Sequence, residues 1–393
     1  MPSQKFTRPK KESVLKRKEE QEKQEEETAS SGMPAVCAED GPVAVTGASG
    51  YIGSWIVEDL VRHGYTVHAC VRDPSKAEKV EHLTALNAKE RKQEYPGTVE
   101  VFAADLFQAG SYDAAFSGCV AVVHAAAAVG YNKETPQQVY DGCFTQNKHV
   151  VASINKAGSV RRVVFTSSGA AVVHPHPEKY VFTEDDWCDQ NREPGKWREE
   201  DIPHNRDLAY AMAKAATERM LNDLGAREDT SWDAVSTLPS HVIGPLMCAN
   251  HDQGWSWQNC IKQMLQGKPY TKVPGGRMMW NIADVRDVAR AHRLCLESST
   301  IQHGSRYLLC AYGPEAELLT HQLQRKLRTL FPDAPAIGGE EMAGDKPAEP
   351  TVNPPYVYCT RAVADLGLDP TPVDDTIRDT GVSLERLGLL QRK

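Results

Sequence analysis

Tyr210 and Lys214 are four residues apart in a segment of strong helix formers, Ala-Tyr-Ala-Met-Ala-Lys-Ala-Ala. This spacing puts both side chains on one face of a helix. A nearby ammonium group lowers the pKa of a phenol, so the tyrosine can donate a proton to a nascent alkoxide while the lysine also holds ribose hydroxyls. Upstream, Ser167 and Ser168 follow a predicted buried strand, where a hydroxyl can polarise a bound carbonyl. Each feature alone is more often structural, and their combination predicts a catalytic site.

A glycine-rich turn, Thr-Gly-Ala-Ser-Gly-Tyr-Ile-Gly, occupies residues 46–53 between a predicted buried strand and an amphipathic helix. Gly47 and Gly50 let the backbone turn tightly and approach a pyrophosphate, and Gly53 lets the helix lie close to the sheet. The helix N-terminus offers unpaired N–H groups to phosphates. The strand and the helix on either side favour a dinucleotide site over a purely structural turn.

Arg72 follows the second predicted strand, at the position that decides between dinucleotides. An acidic residue there would bind the ribose 2′-hydroxyl, whereas a guanidinium can pair with a 2′-phosphate or stack on adenine. The sequence therefore predicts NADP(H) over NAD(H). Asp73 follows immediately and weakens this prediction, and the alternative is that Arg72 belongs to a solvated turn. Asp105, after the third predicted strand, would either accept from the adenine amino group or cap a helix, and both interpretations are open.

Short apolar runs alternate with helical periodicity from residue 42 onward. A helix is predicted over residues 51–63, with Ile52, Ile56 and Leu60 at helical spacing and Gly64 at its end. This alternation predicts an α/β fold with a Rossmann-type doubly wound parallel sheet and ligands at the carboxyl ends of the strands. Six runs are predicted as strands buried on both faces: residues 43–45, 67–71, 99–103, 120–124, 162–166 and 234–238.

The rest of the chain divides into a tail and a smaller lobe. Residues 1–38 are dense in charge and predict a disordered tail that folding and cofactor binding do not need, with a short charged helix or a partner-binding segment as alternatives. Residues 39–393 are predicted to form the NAD(P)-binding Rossmann domain. Its smaller C-terminal substrate-binding lobe is expected to come mainly from residues 175–207 and 245–393, where long strand-poor stretches occur.

The composition excludes several classes of protein. The 393 residues carry a formal net charge of -8, so no overall positive field exists to attract nucleic acid. The ten cysteines are spread along the chain without a pair at the two-residue spacing of metal sites, which is typical of free thiols in a reducing compartment. No apolar run is long enough to cross a bilayer, and the N-terminus lacks an apolar signal core. We expect a cytoplasmic protein that binds a small-molecule substrate and has no membrane span.

Three further polar positions have competing interpretations. His174 and His176 alternate with prolines and could offer two imidazoles to a metal, but two ligands are too few for zinc, so a loop role is favoured and no metal is predicted. His124, on a predicted buried strand, is interpreted as a hydrogen-bonded core histidine rather than a general base. Asn147 could polarise a water behind Lys214, and this role is left open.

These motifs together resemble those of the extended short-chain dehydrogenase/reductases, and within them the dihydroflavonol reductase and cinnamoyl-CoA reductase group. The resemblance runs from about residue 42 to the C-terminus. The matching segments are residues 46–53, 71–74, 79–80, 105–106, 122–126, 161–168, 210–214, 238–239, 242–245, 284–292 and 364–368.

The resemblance implies an NADP(H)-dependent reduction of an aldehyde or ketone to an alcohol. Ser168, Tyr210 and Lys214 would form the catalytic triad, with Tyr210 as proton donor and Ser168 preferred over Ser167 because it directly precedes the family's small residue. The substrate stays open, because the segment before Tyr210 is longer than is usual in the group. A sugar-nucleotide epimerase, a steroid dehydrogenase and a non-catalytic NADP-binding scaffold are the alternatives. The cofactor contacts predicted from the glycine turn and the resemblance together are Gly47, Ser49, Gly50, Tyr51, Ile52, Gly53, Arg72, Lys79, Asp105, Leu106, Ala126, Tyr210, Lys214, Pro239 and Val242.

Overall fold

The computed structural model describes residues 35–127, 135–174, 176, 180–189, 202, 204–254, 256–268, 279–312, 318–335 and 356–390. The predicted tail before residue 35 and parts of the predicted lobe lie outside the described residues. The strands are β1 (Val43–Thr46), β2 (Thr66–Val71), β3 (Thr98–Ala103), β4 (Ala121–His124), β5 (Arg162–Thr166), β6 (Val181–Phe182), β7 (Asp233–Pro239), β8 (His241–Ile243), β9 (Met279–Trp280), β10 (Ile282–Asp284), β11 (Arg306–Leu309), β12 (Leu318–Leu319) and β13 (Tyr356–Val357). The helices are α1 (Tyr51–Arg62), α2 (Ala77–Thr84), α3 (Asp113–Phe116), α4 (Pro136–Ala157), α5 (Arg206–Gly225), α6 (Trp257–Leu265), α7 (Val285–Glu297), α8 (Thr320–Leu330), α9 (Thr360–Leu366) and α10 (Val373–Arg386). No described helix combines the length and the apolar composition needed to cross a membrane.

Seven strands form one sheet in the order β11-β7-β5-β4-β1-β2-β3, and every neighbouring pair is parallel. The chain steps outward from β1 to β2 and β3, and then returns to the other side of β1 to add β4, β5, β7 and β11. The reversal between β1 and β4 is a topological switch point, where open α/β sheets bind ligands at the carboxyl ends of their strands. The predicted Rossmann-type doubly wound sheet is confirmed.

Six strands of this sheet lie where the sequence predicts them, each within one residue at either end, and α1 ends one residue before its predicted end. The prediction that all six are buried on both faces is wrong for β3, because β3 is the edge strand and leaves Thr98 and Glu100 exposed. The sequence analysis missed β11, whose four residues begin with a charged side chain. Arg306 is buried there because its Nε donates to the carboxylate of Glu218 on α5 over 2.6 Å, across 88 residues of sequence.

The ends of the two helices α4 and α5 follow local sequence signals. α4 begins after Thr135, whose hydroxyl accepts the backbone N–H of Gln138, and it ends at Gly158 in the left-handed conformation, with a φ of 67°. α5 begins after Asn205, whose side chain accepts the N–H of Leu208. Side-chain caps of this kind satisfy N–H groups that have no partner within the helix. The cap at Asn205 fixes the first residue of α5 and therefore the positions of Tyr210 and Lys214 on this helix.

A second hydrophobic core lies outside the central sheet, around α6, α8 and α10 and the buried indole of Trp280. Two short strand pairs, β8 with β10 and β9 with β12, contribute to it, whereas a third, β6 with β13, packs against the main core through Phe182 and Val357. Within the segment predicted to supply most of this lobe, residues 285–310 pack with the central sheet, because α7 packs against α1 and β11 extends the sheet. The use of the lobe for substrate binding stays a prediction.

The predicted boundary of the N-terminal tail is too late by four residues. Val36 is fully buried in the main core, and its N–H donates to the carbonyl of Leu296 over 2.9 Å. Its own carbonyl accepts the hydroxyl of Tyr65 over 2.9 Å. Residues 35–38 therefore belong to the folded domain, because the groups that bury and bond Val36 come from distant parts of the sequence and meet it only in the tertiary structure.

Two truncations test this boundary. Deleting residues 1–34 should leave the free energy of unfolding unchanged, whereas deleting residues 1–38 should lower it by about 2 kcal/mol, since burying one valine side chain is worth about 1.5–3 kcal/mol. Urea unfolding of the full chain and both truncated chains measures the difference. Equal stability of the two truncated chains would contradict the assignment of residues 35–38 to the core.

Candidate active site

The glycine turn after β1 brings the backbone close to the end of β4. Gly47 has a φ of 67°, and a Cβ at this position would lie 2.9 Å from the Cα of Ala126. A Cβ on Gly53 would overlap the carbonyl oxygen of Gly47. Only glycine fits both positions, and the open N-terminus of α1 after Gly50 leaves N–H groups for an anion. The turn has the form that a pyrophosphate requires.

A chain of buried hydrogen bonds crosses the carboxyl ends of β1 and β4 and continues into α4 and α5. The hydroxyl of Thr217 donates to the carbonyl of Ala213 over 2.8 Å, so its oxygen accepts from Nδ2 of Asn147 over 2.7 Å. The amide oxygen of Asn147 then faces Nε2 of His124 at 2.7 Å, which makes that ring nitrogen a donor. The other nitrogen, Nδ1, consequently accepts from the hydroxyl of Thr46 over 2.8 Å. Each hydrogen bond in this series therefore has one defined donor and one defined acceptor.

The state of His124 agrees with this pattern. Burial lowers the pKa of His124 to about 4, so the ring is neutral and has one donor and one acceptor nitrogen. The interpretation of His124 as a hydrogen-bonded core histidine is confirmed. Asn147 lies between His124 and Thr217 with both ends of its amide engaged. The hydroxyl oxygen of Thr46 also accepts the N–H of Ala126 over 3.0 Å, which ties β4 to the start of the glycine turn.

Tyr210 and Lys214 share one face of α5, as their spacing predicts. Nζ of Lys214 donates to the carbonyl of Thr166 at the end of β5 over 2.8 Å. The same atom lies 5.9 Å from the ring centroid of Tyr210 and 4.9 Å from that of Phe165. Burial lowers the pKa of Lys214 to about 8. An amine with this pKa can exchange its proton near neutral pH, as general acid–base catalysis requires.

Ser167 and Ser168 have different environments. Ser167 is buried, and its hydroxyl donates to Oε1 of Glu218 over 2.5 Å. The other carboxylate oxygen of Glu218 accepts from Arg306, so Ser167 belongs to a buried network that joins α5 to β11. Ser168 is only partly buried, and its Oγ accepts the N–H of Ala170 over 3.2 Å. Its hydroxyl proton is therefore the one that can serve a ligand.

Arg72 extends from the end of β2 with 69% of its side chain exposed, and its Nε lies 3.8 Å from Oδ2 of Asp105. An exposed ion pair of this kind adds little stability, so the guanidinium can turn to a phosphate at small cost. The other oxygen of Asp105 accepts the N–H of Phe107 over 3.0 Å within a turn, and the next helix begins only at Asp113, so Asp105 does not cap a helix. Lys79, on α2, is also exposed. Three cations, Arg72, Lys76 and Lys79, thus follow β2 within eight residues, and Lys76 pairs with Asp73.

The other predicted cofactor residues occupy the same edge of the sheet. Pro239 ends β7, Val242 lies in β8, and both are buried. Leu106 is buried beyond the end of β3. Ser49 and Ile52 are half-buried in the turn and the first turn of α1.

Tyr51 is placed differently from its neighbours in the glycine turn. Its hydroxyl is buried without a hydrogen-bond partner among the described residues. Its ring packs edge-on against His251, with the centroids 5.7 Å apart. The side chain therefore faces the second core, and a contact between Tyr51 and the cofactor would come from its backbone.

A small pocket beside Lys214 includes residues that the sequence analysis missed. Cys143 and Gln146, from α4, line it together with Asn147 and Phe165. The signal was present, because positions 143, 146 and 147 recur at helical spacing and so share the face of α4 that Asn147 occupies. This spacing could not identify a pocket by itself, because the pocket forms only where α4 meets α5, about 70 residues further along the chain.

His174 and His176 have packing roles in the described part of the chain. The ring centroid of His174 lies 5.0 Å from that of Phe182, and that of His176 lies 4.9 Å from the same ring. Both imidazoles thus pack against one aromatic side chain of β6. The predicted loop role is the one these contacts support.

Comparison with known proteins gives one family match and several relatives. Residues 43–310 match the profile described as the NAD dependent epimerase/dehydratase family. A cinnamoyl-CoA reductase of Medicago truncatula is 32% identical over 355 residues, which cover 87% of this chain and 95% of that protein. A dihydroflavonol 4-reductase of Hordeum vulgare is 32% identical over 216 residues, 53% of this chain and 55% of that protein.

The fold also occurs in solved structures. The crystal structure of yeast methylglyoxal/isovaleraldehyde reductase complexed with NADPH superposes with a TM-score of 0.70 at 23% sequence identity. The match covers 88% of this chain and 99% of the yeast chain. At this identity the likeness concerns the fold.

The lowered pKa of Lys214 predicts a pH effect on stability. Between about pH 8 and 10.5 the unfolded chain holds a proton at this position that the folded chain has lost, so this residue makes the folded state gain stability as the pH rises through that window. The free energy of unfolding of the wild type minus that of Lys214→Met should therefore increase by up to about 3 kcal/mol across the window.

Urea unfolding of both cofactor-free proteins at several pH values measures this difference. The subtraction cancels the titration of groups that the two proteins share. A difference that stays constant across the window would mean that Lys214 keeps an ordinary pKa in the folded protein.

Proposed function

The chain belongs to the NAD-dependent epimerase/dehydratase family, and from that premise we propose that it uses NADPH to reduce the carbonyl group of a small molecule to an alcohol. It is an NADP(H)-dependent oxidoreductase of the reductase type, like its relatives that reduce cinnamoyl-CoA and dihydroflavonols. The substrate proposed is an aldehyde or ketone. A cytoplasmic location stays a prediction from the composition.

One observation carries the proposal, namely that the glycine turn and the Tyr210/Lys214 face of α5 meet at one edge of the sheet. The turn touches the end of β4 at Ala126, and Nζ of Lys214 lies 2.8 Å from the carbonyl of Thr166 at the end of the neighbouring strand β5. A dinucleotide whose pyrophosphate lies on the turn therefore directs its nicotinamide half toward α5. A hydride donor and a proton donor would then lie on either side of one substrate carbonyl.

The roles proposed for the side chains follow from their positions. When bound, the nicotinamide of NADPH supplies the hydride. Tyr210 donates its phenolic proton to the oxygen that becomes the alcohol, and Ser168 donates a second hydrogen bond to the same oxygen. Lys214 holds the ribose hydroxyls and stabilises the phenolate left on Tyr210. Its hydrogen bond to the Thr166 carbonyl keeps the ammonium at this edge of the sheet.

The cofactor contacts proposed follow the same geometry. The backbone of residues 47–53 holds the pyrophosphate, and Arg72 and Lys79 neutralise the 2′-phosphate. Asp105 and Leu106 flank the adenine side. The nicotinamide half is bounded by Ala126, Pro239 and Val242.

A screen of the purified full chain against a library of aldehydes, ketones, acyl-CoA thioesters and sugar nucleotides tests the proposal, with NADPH absorbance and chromatography of the products as the readouts. NADPH oxidation with an aldehyde or a ketone supports it, whereas turnover of acyl-CoA thioesters alone would contradict it, because one hydride converts a thioester to an aldehyde and not to an alcohol. Conversion of sugar nucleotides without net loss of NADPH would identify an epimerase instead. Tight NADPH binding without turnover of any member of the library would identify a scaffold.

Arg72 should set the choice of cofactor. Arg72→Glu should weaken NADPH binding by about tenfold to a hundredfold and leave NADH binding within a few-fold, because it repels the 2′-phosphate and removes a charged hydrogen bond worth about 1.5–3 kcal/mol. Fluorescence titration of both cofactors into wild type and variant measures this. Arg227→Glu is the matched control, since Arg227 is exposed and precedes β7 at the opposite edge of the sheet. Equal losses for the two cofactors would show that Arg72 is structural.

Tyr210→Phe removes one oxygen and keeps the ring, so it separates proton donation from packing. Turnover should fall by about 10²–10⁴-fold, the usual contribution of general acid catalysis, while NADPH affinity stays within a few-fold. Lys214→Met should lower both turnover and NADPH affinity, because the ammonium acts on the phenol and on the ribose.

Steady-state kinetics with the best substrate of the screen and direct NADPH titration provide the two readouts. Thermal unfolding of each variant controls for folding. A Tyr210→Phe protein with near-normal turnover would refute the proposed mechanism and leave the dinucleotide site standing.

A further inference from the structure

Three side chains that the proposed reaction does not use converge behind the glycine turn. His82 lies on α2, while Cys248 and His251 lie in the turn that follows β8. One donor atom of each lies within 4.8 Å of the other two. The hydrogen bond from Nδ2 of Asn250 to the carbonyl of Glu78, 2.8 Å long, holds this turn against α2. Two imidazoles and a thiol are the ligand types that zinc prefers in proteins.

The hydroxyl of Ser54 fixes the protonation pattern of both rings. Ser54 donates its only proton to the carbonyl of Ala48 over 2.9 Å, so it can only accept from the imidazoles. Nε2 of His82 lies 2.8 Å and Nε2 of His251 lies 3.3 Å from its oxygen, so both nitrogens act as donors. The lone pair of each ring therefore resides on Nδ1. Both Nδ1 atoms are buried and have no hydrogen-bond partner among the described residues.

Two unpartnered nitrogens in a buried cluster need an explanation, because an unsatisfied buried polar atom costs about 1–3 kcal/mol. Histidines that bind a metal characteristically donate their other N–H to a nearby acceptor, which orients the ring. The Ser54 hydroxyl is such an acceptor, shared by His82 and His251. A purely structural pair of histidines would gain no stability from two Nδ1 lone pairs that accept no hydrogen bond.

We propose that His82, His251 and Cys248 bind one zinc ion, or a similar divalent cation that prefers nitrogen and sulfur ligands, with water as the fourth ligand. The ligand atoms of tetrahedral zinc lie roughly 3.3–3.8 Å apart, given Zn–N distances of about 2.0–2.1 Å and a Zn–S distance of about 2.3 Å. The ion therefore draws Nδ1 of each ring and Sγ of Cys248 to these separations, from a cluster in which one donor atom of each residue lies within 4.8 Å of the others. The Cys248 thiol releases its proton to the solvent when the sulfur binds.

The electrostatics of the rings agree with a ligand role. Burial lowers the pKa of His82, and it lowers the pKa of His251 to about 3, against a smaller opposing effect of the Ser49 backbone. These downward shifts favour the neutral form of both rings, which is the form that binds a metal. Burial raises the pKa of Cys248, so the sulfur is a protonated thiol until a cation replaces its proton.

The ion would connect three segments whose relative positions determine the shape of the cofactor site. Ser54 lies in the first turn of α1, directly after the glycine turn, and His82 is one helical turn beyond Lys79. Cys248 and His251 follow the strand that contains Val242. Zinc at this point would hold the glycine turn, the 2′-phosphate side of the site and the second core together. It is a positioning ion, and it takes no part in hydride transfer.

Metal binding to the full chain tests the proposal without any activity assay. The full chain is first freed of metal with a chelator and kept reduced. It is then titrated with Zn²⁺ in competition with a chromophoric chelator. A separate titration uses Co²⁺, whose bond to a thiolate gives a charge-transfer band in the near ultraviolet. We expect one tight equivalent of zinc, a cobalt–thiolate band and a higher melting temperature with zinc. Cys248→Ser should abolish the cobalt–thiolate band. Cys248→Ser and His82→Gln should each weaken zinc binding by at least about a hundredfold.

Matched controls address adventitious binding by the other thiols and imidazoles. Cys37→Ser and His63→Gln change exposed residues outside the cluster and should leave zinc binding intact. Because Cys248→Ser changes one atom and Cys248 is only half-buried, that variant should fold, which its melting temperature without metal verifies. Absence of a tight equivalent in the wild type, or a cobalt–thiolate band that survives Cys248→Ser, would overturn the proposal.

Discussion

The arrangement of the site depends on the hydrogen-bonded chain that runs from Thr46 through His124 and Asn147 to Thr217. It joins the ends of β1 and β4 to α4 and α5 with groups that are all buried. A broken link would leave a buried polar atom unpaired, at a cost of about 1–3 kcal/mol. This series of hydrogen bonds therefore has one arrangement, which places the glycine turn and the helix of Tyr210 at the same edge of the sheet.

α5 is held against the sheet by polar contacts along one face. Lys214 binds the end of β5, Thr217 closes the chain from His124, and Glu218 accepts from Ser167 and Arg306. These positions recur at helical spacing, so a stripe of charged and hydroxyl side chains faces the interior. Burial there lowers the pKa of Lys214 to about 8 and leaves the lysine next to the ring of Tyr210. The burial that fixes the helix therefore also lowers the pKa of its lysine.

The sequence predicts the local parts of this arrangement and misses the non-local ones. Buried strands, the glycine turn and the Tyr210/Lys214 pair are recognisable because each is encoded within a few consecutive residues. β11 was missed because Arg306 reads as a solvent-exposed charge until Glu218 is known to pair with it. The cluster of His82, Cys248 and His251 was missed for the same reason, since its parts are more than 160 residues apart and only the fold brings them together. Val36 was assigned to the tail because the short apolar run that contains it follows a charged segment and is too brief to show any periodicity.

The central claim is that the carboxyl edge of the sheet binds NADP(H) with the nicotinamide beside Tyr210 and Lys214. A crystal structure of the full chain with NADP⁺ tests it most directly. The account predicts the pyrophosphate at the glycine turn, the 2′-phosphate at Arg72, and a ribose hydroxyl within hydrogen-bond distance of Lys214, with the nicotinamide ring facing the hydroxyl of Tyr210. A cofactor bound at another edge, or a nicotinamide turned away from Tyr210 and Lys214, would contradict it.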